Sequence, residues 1–434
     1  MFLLCLILPL ALFAKGEDEG EKTYELIVID SGGLSWNAEA QAYYGYDGTD
    51  SANAVVIEEF EAKHPNATVN YLHRDVTQGS MTVDALIAKG QWPDVWIDAG
   101  GYFREYLNAE TSLPLEDYVD ISVFQDDMIS PYTRGGNTYA IPASNIATAM
   151  AINTSMLDEI GYTMPAQEDW TTDEFLRLAE QLKAAGYPAT MVMTRDGFNP
   201  WMYPWIYAFG GELFVNGDYS KVAINTPEAR AGFEFIKLLV DSGYSQPYPN
   251  ECDDDIGVEL FTTARVFSCM MQNSHADGWI PRQVEEGVID EIFGYTFVEF
   301  PHAPGRAHTP VSAYQTVVNA HNSGDPVRNA LAGELAAGFL GPWFLEVYAV
   351  ITGSFSPLKE TEYPVVLGAA GPSYQAIAAV VAESGVMDLG GMNARAKEAM
   401  AAAKIPMQRY INGDITVQEF LDIFEADANA LLAQ

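Results

Sequence analysis

The sequence predicts an α/β fold built on a parallel sheet and divided into more than one domain. Apolar strand-like runs alternate with helix-like runs through the body of the chain, an order typical of a sheet with helices on its faces. The chain has 434 residues with 48% hydrophobic and 12% aromatic content. That length and composition suffice for two or three well-buried cores.

The chain opens with an apolar leader, Met1–Ala14, that holds no charged side chain. Roughly 13 apolar residues are too few to span a bilayer, which needs about 20, and they match the core of a secretory signal peptide cleaved after Ala14. Cys5 lacks the small residues expected before a lipidated cysteine. We therefore expect export to the periplasm or the extracellular space without a lipid anchor. Residues 15–22 read as an acidic spacer.

The first elements of the body follow a β-α-β-α-β order. The predicted strands are Glu25–Asp30, Thr68–Leu72 and Asp94–Asp98, with helices between them at about 51–63 and 82–89. This rhythm predicts parallel strands joined by helical crossovers.

Three later helices have marked starts. Thr171-x-x-Glu174 is a predicted capping box, in which hydroxyl and carboxylate each accept a hydrogen bond from the other residue's backbone N–H. Thr416-x-x-Glu419 begins the last helix. Thr226-Pro227 opens the third of these helices. Apolar residues follow each start at helical spacing and are assigned to the core. Asp427 interrupts the apolar stripe of the last helix.

The charge is strongly acidic, because 60 Asp and Glu residues face 22 Lys and Arg, a formal net charge of −38. Such a surface repels phosphate backbones and anionic lipid heads, so we expect no nucleic-acid or peripheral membrane binding. It fits an ordinary exported protein of low isoelectric point, or one adapted to a salty habitat.

Cys252 and Cys269 remain if the leader is removed. They would form a disulfide in an oxidising compartment or stay as two buried thiols, and both alternatives are open. Neither cysteine has a partnered histidine that would mark it as a nucleophile.

No signature of catalysis, cofactor or metal binding stands out. The sequence holds no His-Glu-x-x-His, Cys-x-x-Cys, phosphate-loop or Gly-x-Ser-x-Gly motif. His302 and His308 would need a third ligand to hold zinc. The acidic run Glu251–Asp255 departs from calcium-loop spacing and precedes a predicted helix, whose dipole favours acids anyway. We therefore expect no metal, no cofactor and no enzyme.

A series of short segments occurs in a family-like order along the chain. They are Phe60–Pro65 (FEAKHP), Gly90–Val95 (GQWPDV), Leu113–Tyr118 (LPLEDY), Gly136–Pro142 (GNTYAIP), Ala151–Leu157 (AINTSML), Thr171–Phe175 (TTDEF) and Gly353–Pro357 (GSFSP). In this order the chain resembles the bacterial extracellular solute-binding proteins of sugar-type ABC importers, the group that includes maltose-binding protein. It departs from that family at Ala264-Arg265, where Gly-Lys is common, and at Ile152, where an aromatic residue is frequent.

The resemblance implies a two-lobed periplasmic-binding-protein fold with a ligand cleft between the lobes. The first lobe would take residues 23–143 and 310–355, and the second 144–309 and 356–434. Three segments would cross between them, near Pro142–Asn145, Pro304–Thr309 and Gly353–Pro357.

The resemblance also directs attention to aromatic and polar residues on loops at the lobe interface, the groups that stack on sugar rings and bind their hydroxyls. The candidate ligand-binding residues are Trp36, Tyr43, Tyr44, Asp98, Tyr102, Ser144, Asn145, Asn199, Trp201, Trp205, Asn273, Trp279, Tyr314 and Phe355. Several have a structural alternative: a helix N-cap for Asp98, a packing role for Tyr102, a surface loop packed on itself for Trp36, Tyr43 and Tyr44, hinge hydrogen bonding for Ser144 and Asn145, and core packing for the two tryptophans at 201 and 205.

The expected function is capture of a mono- or oligosaccharide outside the cytoplasmic membrane and its delivery to the permease of an ABC transporter. The protein would act as a monomer. Two alternatives stay open: a binding protein for a polyamine, a peptide or ferric ion, and an exported glycosidase with two cleft carboxylates.

Overall fold

The computed structural model describes residues 22–30, 51–73, 81–99, 107, 110–197, 200–214, 220–360, 372–385 and 395–433. Its strands are β1 (Tyr24–Asp30), β2 (Ala67–His73), β3 (Val95–Ala99), β4 (Thr133–Arg134), β5 (Asn137–Thr138), β6 (Ile141–Asn153), β7 (Ser268–Met271), β8 (Tyr295–Val298) and β9 (Ser312–Ala320). Within these ranges, seven strands form one mixed sheet in the order β2-β1-β3-β9-β6-β7, with β8 also paired to β6. β4 and β5 form a separate small hairpin.

The predicted β-α-β-α-β start is confirmed, with every bound within one residue of the observed one. β1 runs parallel to β2 on one side and to β3 on the other, where Val28 lies opposite Val95. Leu26 and Val28 pack into one hydrophobic cluster, whereas Ile29 and Trp96 pack into a second cluster on the other face. Because both faces are covered, these strands are nearly continuous apolar runs.

The helices pack against both faces of the first-core strands and are more numerous after β6 than before it. They are Ala52–Lys63, Met81–Ala88, Asp126–Ile129, Thr154–Ile160, Thr172–Ala185, Tyr203–Tyr207, Pro227–Asp241, Asp254–Thr262, Asn273–Glu285, Pro326–Phe339, Pro342–Thr352, Pro372–Ser384, Ala396–Ala401, Lys404–Asn412 and Val417–Leu432. Asp427 is exposed, so the last helix continues past the interruption in its apolar stripe.

The predicted start of the last helix at Thr416 is confirmed, and a full capping box forms there. Thr416 accepts from the backbone N–H of Glu419, and the Glu419 carboxylate accepts from the Thr416 N–H over 2.8 Å. At Thr171 only the first half forms, because the Glu174 carboxylate accepts from the Tyr162 hydroxyl and pairs with Arg177 instead. The prediction of a full capping box there was wrong, since tertiary partners compete for the same carboxylate.

Two main hydrophobic cores divide the described residues. The first core draws its members from Tyr24–Ala143 and from Val318–Tyr348. The second core draws its members from Ala147–Val311 and from Ile377–Ala428. Each core is therefore built from segments that are far apart in the chain, and the chain passes between the cores three times.

Among the described helices, none is both long and apolar enough to cross a membrane by itself. The Pro326–Phe339 and Pro342–Thr352 helices meet the length and composition test only as a pair, which is bent by 52°. Leu335, Phe339 and Phe344 of this pair are buried in the first core.

Cys252 and Cys269 are free thiols, and both are buried. Of the two alternatives left by the sequence, the structure therefore has the unpaired one. Burial raises the pKa of Cys269 far above its usual range, so this thiol stays protonated and unreactive.

Candidate functional site

β6 carries the chain from one core to the other. Its first part pairs with β9, from Ile141 opposite Val318 to Thr148 opposite Ser312. Its second part pairs with β7 and β8. The pairing with β9 shifts register between Pro142 and Ser144. Pro142 has no N–H to donate, and a bulge beside a proline bends a strand locally.

The three passages between the cores meet at one level of β6. Asn145 lies opposite Gln315 of β9 on one side. On the other side the Asn145 N–H donates to the Phe355 carbonyl over 2.9 Å, and the Phe355 N–H donates to the Asn145 carbonyl over 2.8 Å. Segments near 145, 315 and 355 are therefore fixed side by side.

The second passage lies later in the chain than the predicted Pro304–Thr309. Val311 is buried in the second core and Val318 in the first, so the chain passes between them at the start of β9. Thr309 is held on the second-core side, where its N–H donates to the buried Glu299 carboxylate over 2.8 Å. Pro304, Gly305 and Arg306 instead belong to a turn before β9, in which the Arg306 N–H donates to the Ala303 carbonyl over 3.1 Å.

Polar residues line up where the first-core strands end. Asp98 lies in β3 opposite Val317 and is 4% exposed. The next residue of β3, Ala99, lies opposite Thr316 of β9, and Thr316 lies opposite Ser144 of β6. The Ser144 side chain is fully buried, and its hydroxyl oxygen has no hydrogen-bond partner among the described residues. A buried hydroxyl without a partner is costly, and a ligand group would relieve that cost.

A buried network at the end of β1 was not predicted. The Asp30 carboxylate accepts 2.6 Å hydrogen bonds from the Asn53 amide and from the Tyr71 hydroxyl. Burial, reinforced by Asp30, raises the pKa of Tyr71 well above its usual range. The Asn53 amide oxygen has no hydrogen-bond partner. A charged residue that ends an apolar strand was the signal that could have identified this network.

The second core presents Asn273 to the same region. Asn273 follows β7, whose last residue Met271 lies opposite Ala149 of β6. The Asn273 amide nitrogen lies 2.8 Å from the point where a Cβ on Gly353 would stand, and Gly353 has φ +64°. Close approach and backbone conformation both require glycine there. Asn273 therefore lies beside the third passage between the cores.

An aromatic cluster extends from Asn273 along its helix. The ring centroids of Trp201 and His275 are 5.9 Å apart, as are those of His275 and Trp279. Trp201 is 5% exposed and Trp279 is 36% exposed, so the cluster runs from the second core to the surface. Sequence reasoning predicted both tryptophans but not the histidine between them.

Phe355 combines a backbone role with a packing role. Its backbone joins β6 at Asn145, and its ring centroid lies 4.9 Å from that of Tyr374 on the Pro372–Ser384 helix. The third passage is thereby attached to a helix that also packs against β8.

Trp205 is a core residue, which argues against its predicted contact with ligand. It is 1% exposed, and its ring centroid lies 4.1 Å from that of Phe300, 5.3 Å from Phe175 and 5.4 Å from Phe235. These rings occupy the space that a ligand would need. We therefore remove Trp205 from the candidate site.

Several predicted residues lie outside the described ranges: Trp36, Tyr43, Tyr44, Tyr102 and Asn199. Tyr314 is placed by its backbone alone, opposite Ile146 of β6 and one residue from Gln315. Its position in the chain therefore agrees with the meeting point of the passages.

The acidic run after Tyr248 is already compensated by cations. Asp196, Asp253 and Asp254 form the one group of metal-ligand type found within the described ranges. Asp253 pairs with Arg195 and caps the Asp254–Thr262 helix, and Asp196 lies 3.7 Å from Lys404. These contacts explain the cluster without calcium. His308 instead lies 3.0 Å from Glu299, and His302 Nδ1 lies 3.2 Å from the Ala303 carbonyl oxygen.

Comparison with known proteins identifies related chains. The family model for bacterial extracellular solute-binding proteins matches residues 47–323. A lactose-binding protein of Rhizobium radiobacter is 23% identical over 219 residues, which is 49% of this chain and 50% of that protein. The match thus spans about half of that relative's length.

Solved structures share the fold over nearly the whole chain. A cyclic α-maltosyl-1,6-maltose binding protein of Arthrobacter globiformis superposes with a TM-score of 0.71 at 17% identity, covering 94% of this chain and 99% of that one. The GacH receptor of Streptomyces glaucescens gives 0.73 at 15% identity over 95% and 100%. A chitin oligosaccharide binding protein gives 0.74 at 18% identity over 96% and 100%. The two-lobed periplasmic-binding-protein fold is therefore confirmed.

Proposed function

Because the chain belongs to the family of bacterial extracellular solute-binding proteins, we propose that it captures a carbohydrate outside the cytoplasmic membrane and delivers it to the permease of an ABC importer. The lobes we assign are residues 23–143 with 312–355, and 144–311 with 356–434, with the second passage at the start of β9. The names of its relatives support the ligand class, since they include binders of lactose, a cyclic maltosyl-maltose and chitin oligosaccharides.

One observation carries the proposal: polar and aromatic residues lie near the level at which the three passages meet, and one of them, the buried Ser144 hydroxyl, has no hydrogen-bond partner among the described residues. Ser144 and Asn145 lie in the first passage, Phe355 in the third, and Asn273 follows β7 beside it. Trp279 adds a partly exposed aromatic face. Hydroxyl, amide and aromatic groups together match the hydroxyls and apolar C–H faces of a sugar.

The arrangement supports capture by domain closure. A ligand that touches both lobes stabilises the closed arrangement by the contacts that it makes only there. The bulge beside Pro142 and the glycine at 353 are the points where the first and third passages bend most readily. The permease would recognise the closed arrangement.

A thermal-shift screen of the purified chain tests the proposal. The panel holds four sugars: lactose, maltose, chitobiose and tagatose. Spermidine, a tripeptide mixture and ferric citrate represent the alternative ligand classes. A ligand at about 100 times its dissociation constant stabilises the protein by about 2.7 kcal/mol. Stabilisation by one sugar that is recovered unchanged supports the proposal. Stabilisation by spermidine, peptide or ferric ion alone would overturn the ligand class, and breakdown of the sugar would indicate a glycosidase.

A further inference from the structure

His275 lies in an aromatic cluster at the edge of the second lobe. Its ring centroid is 5.9 Å from that of Trp201 and 5.9 Å from that of Trp279, one helical turn further along the same helix. Two residues before it, Asn273 lies against Gly353 of the third passage. The histidine is thus placed between two stacking surfaces and beside the junction of the lobes.

The two ring nitrogens of His275 have different surroundings. Nε2 lies 2.7 Å from the side-chain amide nitrogen of Gln272. An amide nitrogen only donates, so Nε2 accepts and the proton of the neutral ring lies on Nδ1. Nδ1 is buried and has no hydrogen-bond partner within the described part of the chain. A buried N–H without an acceptor is unfavourable until another group supplies one.

The cluster carries no charge at neutral pH. Burial lowers the pKa of His275 to about 4, so the ring is neutral. The acid two residues on, Asp277, accepts hydrogen bonds from Tyr295 and from Ser373. A neutral N–H between two indole rings suits an uncharged oxygen better than an anion, which would find no compensating cation in this set of residues.

We propose that His275 is a specificity-determining residue of the candidate site, whose Nδ1–H donates to a hydroxyl or ring oxygen of an uncharged sugar stacked beside Trp201 and Trp279. This inference rests on the proposed function and adds to it the orientation of the ligand. The sugar ring that stacks on the tryptophans presents an acceptor oxygen at its edge.

Three substitutions of His275 distinguish the role of Nδ1 from that of Nε2. The amide of Asn places a donor near the position of His Nδ1, whereas the amide of Gln places one near Nε2. We expect His275→Phe and His275→Gln to weaken the binding of the best sugar in the panel by about tenfold, and His275→Asn to stay within about threefold of wild type. Isothermal titration calorimetry at pH 7 gives the affinities, and thermal unfolding without ligand shows which variants fold.

Deoxy analogues of that sugar separate recognition from structure. If one oxygen accepts from Nδ1, the analogue that lacks it binds wild type and His275→Phe with equal affinity, whereas the other analogues keep the tenfold difference. If the histidine is purely structural, His275→Phe should unfold at a lower temperature, and the ratio of wild-type to variant affinity should be the same for every analogue. That result would overturn the inference.

The outcomes also distinguish this inference from the proposed function. If wild type binds a sugar and His275→Phe binds it equally well, only the role of His275 is wrong. If wild type binds none of the sugars, the proposed function fails and the inference fails with it. Wild-type affinity should be flat between pH 8 and pH 5.5, since the ring is neutral throughout. A change there that His275→Asn abolishes would contradict the assigned neutral donor.

Discussion

Asn145 and Phe355 exchange two backbone hydrogen bonds, of 2.9 and 2.8 Å, although 210 positions of the chain separate them. The pair joins the third passage to one edge of β6, and at this level the other edge of β6 pairs with β9. A rotation of one lobe against the other must therefore bend three adjacent segments together. That coupling favours a motion about one axis over independent movement of the lobes.

Gly353→Ala should test how tightly the third passage is packed. The new Cβ would meet the Asn273 amide at 2.8 Å, and the residue would be held at φ +64°. We expect a loss of about 1–3 kcal/mol in the free energy of unfolding, measured with urea. Gly413→Ala is the matched control, since its φ is +82° with nothing within 4 Å of the added Cβ. Equal losses would show that Asn273 yields without cost.

Trp205→Ala should destabilise the fold. Its ring is enclosed by three phenylalanines and 1% exposed, so removing it leaves a cavity that costs about 3–5 kcal/mol. Trp279→Ala, at 36% exposure, should lose much less stability and instead weaken sugar binding. Chemical unfolding and calorimetry measure the two effects. A stable Trp205→Ala variant with reduced affinity would restore Trp205 to the site.

Asp98→Asn should weaken ligand binding by about tenfold or more with little change in unfolding temperature. A carboxylate is a stronger acceptor of hydroxyl protons than an amide, and Asp98 stands near the end of β3, opposite Val317 of β9. Asp126→Asn, on a side chain that is 91% exposed, controls for the change in net charge. Equal affinity in both variants would exclude Asp98 from the site.

His275 should make stability depend on pH in the acidic range. Its pKa is about 4 in the folded chain and 6.5 in the unfolded one, so the unfolded chain binds more protons between these values. Stability should therefore be lost as pH falls from 6.5 toward 4, by up to about 1.4 kcal/mol per pH unit. The slope should be smaller in His275→Asn and unchanged in His73→Asn, whose histidine is exposed. Urea unfolding at pH 7, 6, 5 and 4.5 measures it, and an equal slope in all three proteins would contradict the prediction.

Added salt should stabilise this chain. A formal net charge of −38 makes the folded surface repel itself, and about 1 M NaCl shortens the screening length to about 3 Å. We expect the unfolding temperature to rise steadily between 0.05 and about 1 M NaCl at pH 7.5. The same titration near the isoelectric point of about 4.2 is the control, since the net charge vanishes there. A rise of the same size at both pH values would point to a general solvent effect.

The sequence predicted the first three strands well because their information is local. The strands are continuous apolar runs, as expected for a sheet that is covered on both faces, and they include Leu26, Val28, Ile29 and Trp96. Cap residues such as Thr416 act within one helical turn, so their role is also readable. Thr171 shows the limit of this reasoning, because Tyr162 and Arg177 compete for Glu174.

The site was harder to predict because it depends on contacts between distant segments. Trp201 and Trp205 stand one helical turn apart, yet only the first contacts His275, while the second is enclosed by Phe175, Phe235 and Phe300. The role of His275 could not be predicted from sequence, because it depends on the absence of a partner for Nδ1 among the described residues. The second passage was placed too early because only the family resemblance located it, whereas the packing of Val311 in the second core is a contact between distant segments.

The division of each core between distant segments governs the order in which the protein can fold. The first core needs Val318–Tyr348 to cover strands made near the N-terminus, and the second needs Phe420 and Phe424. Neither core closes while the chain is still short, since its last members are synthesised after the other core has begun. A growing chain of this topology stays open along most of its length, a state in which it can be threaded through a narrow channel before it folds.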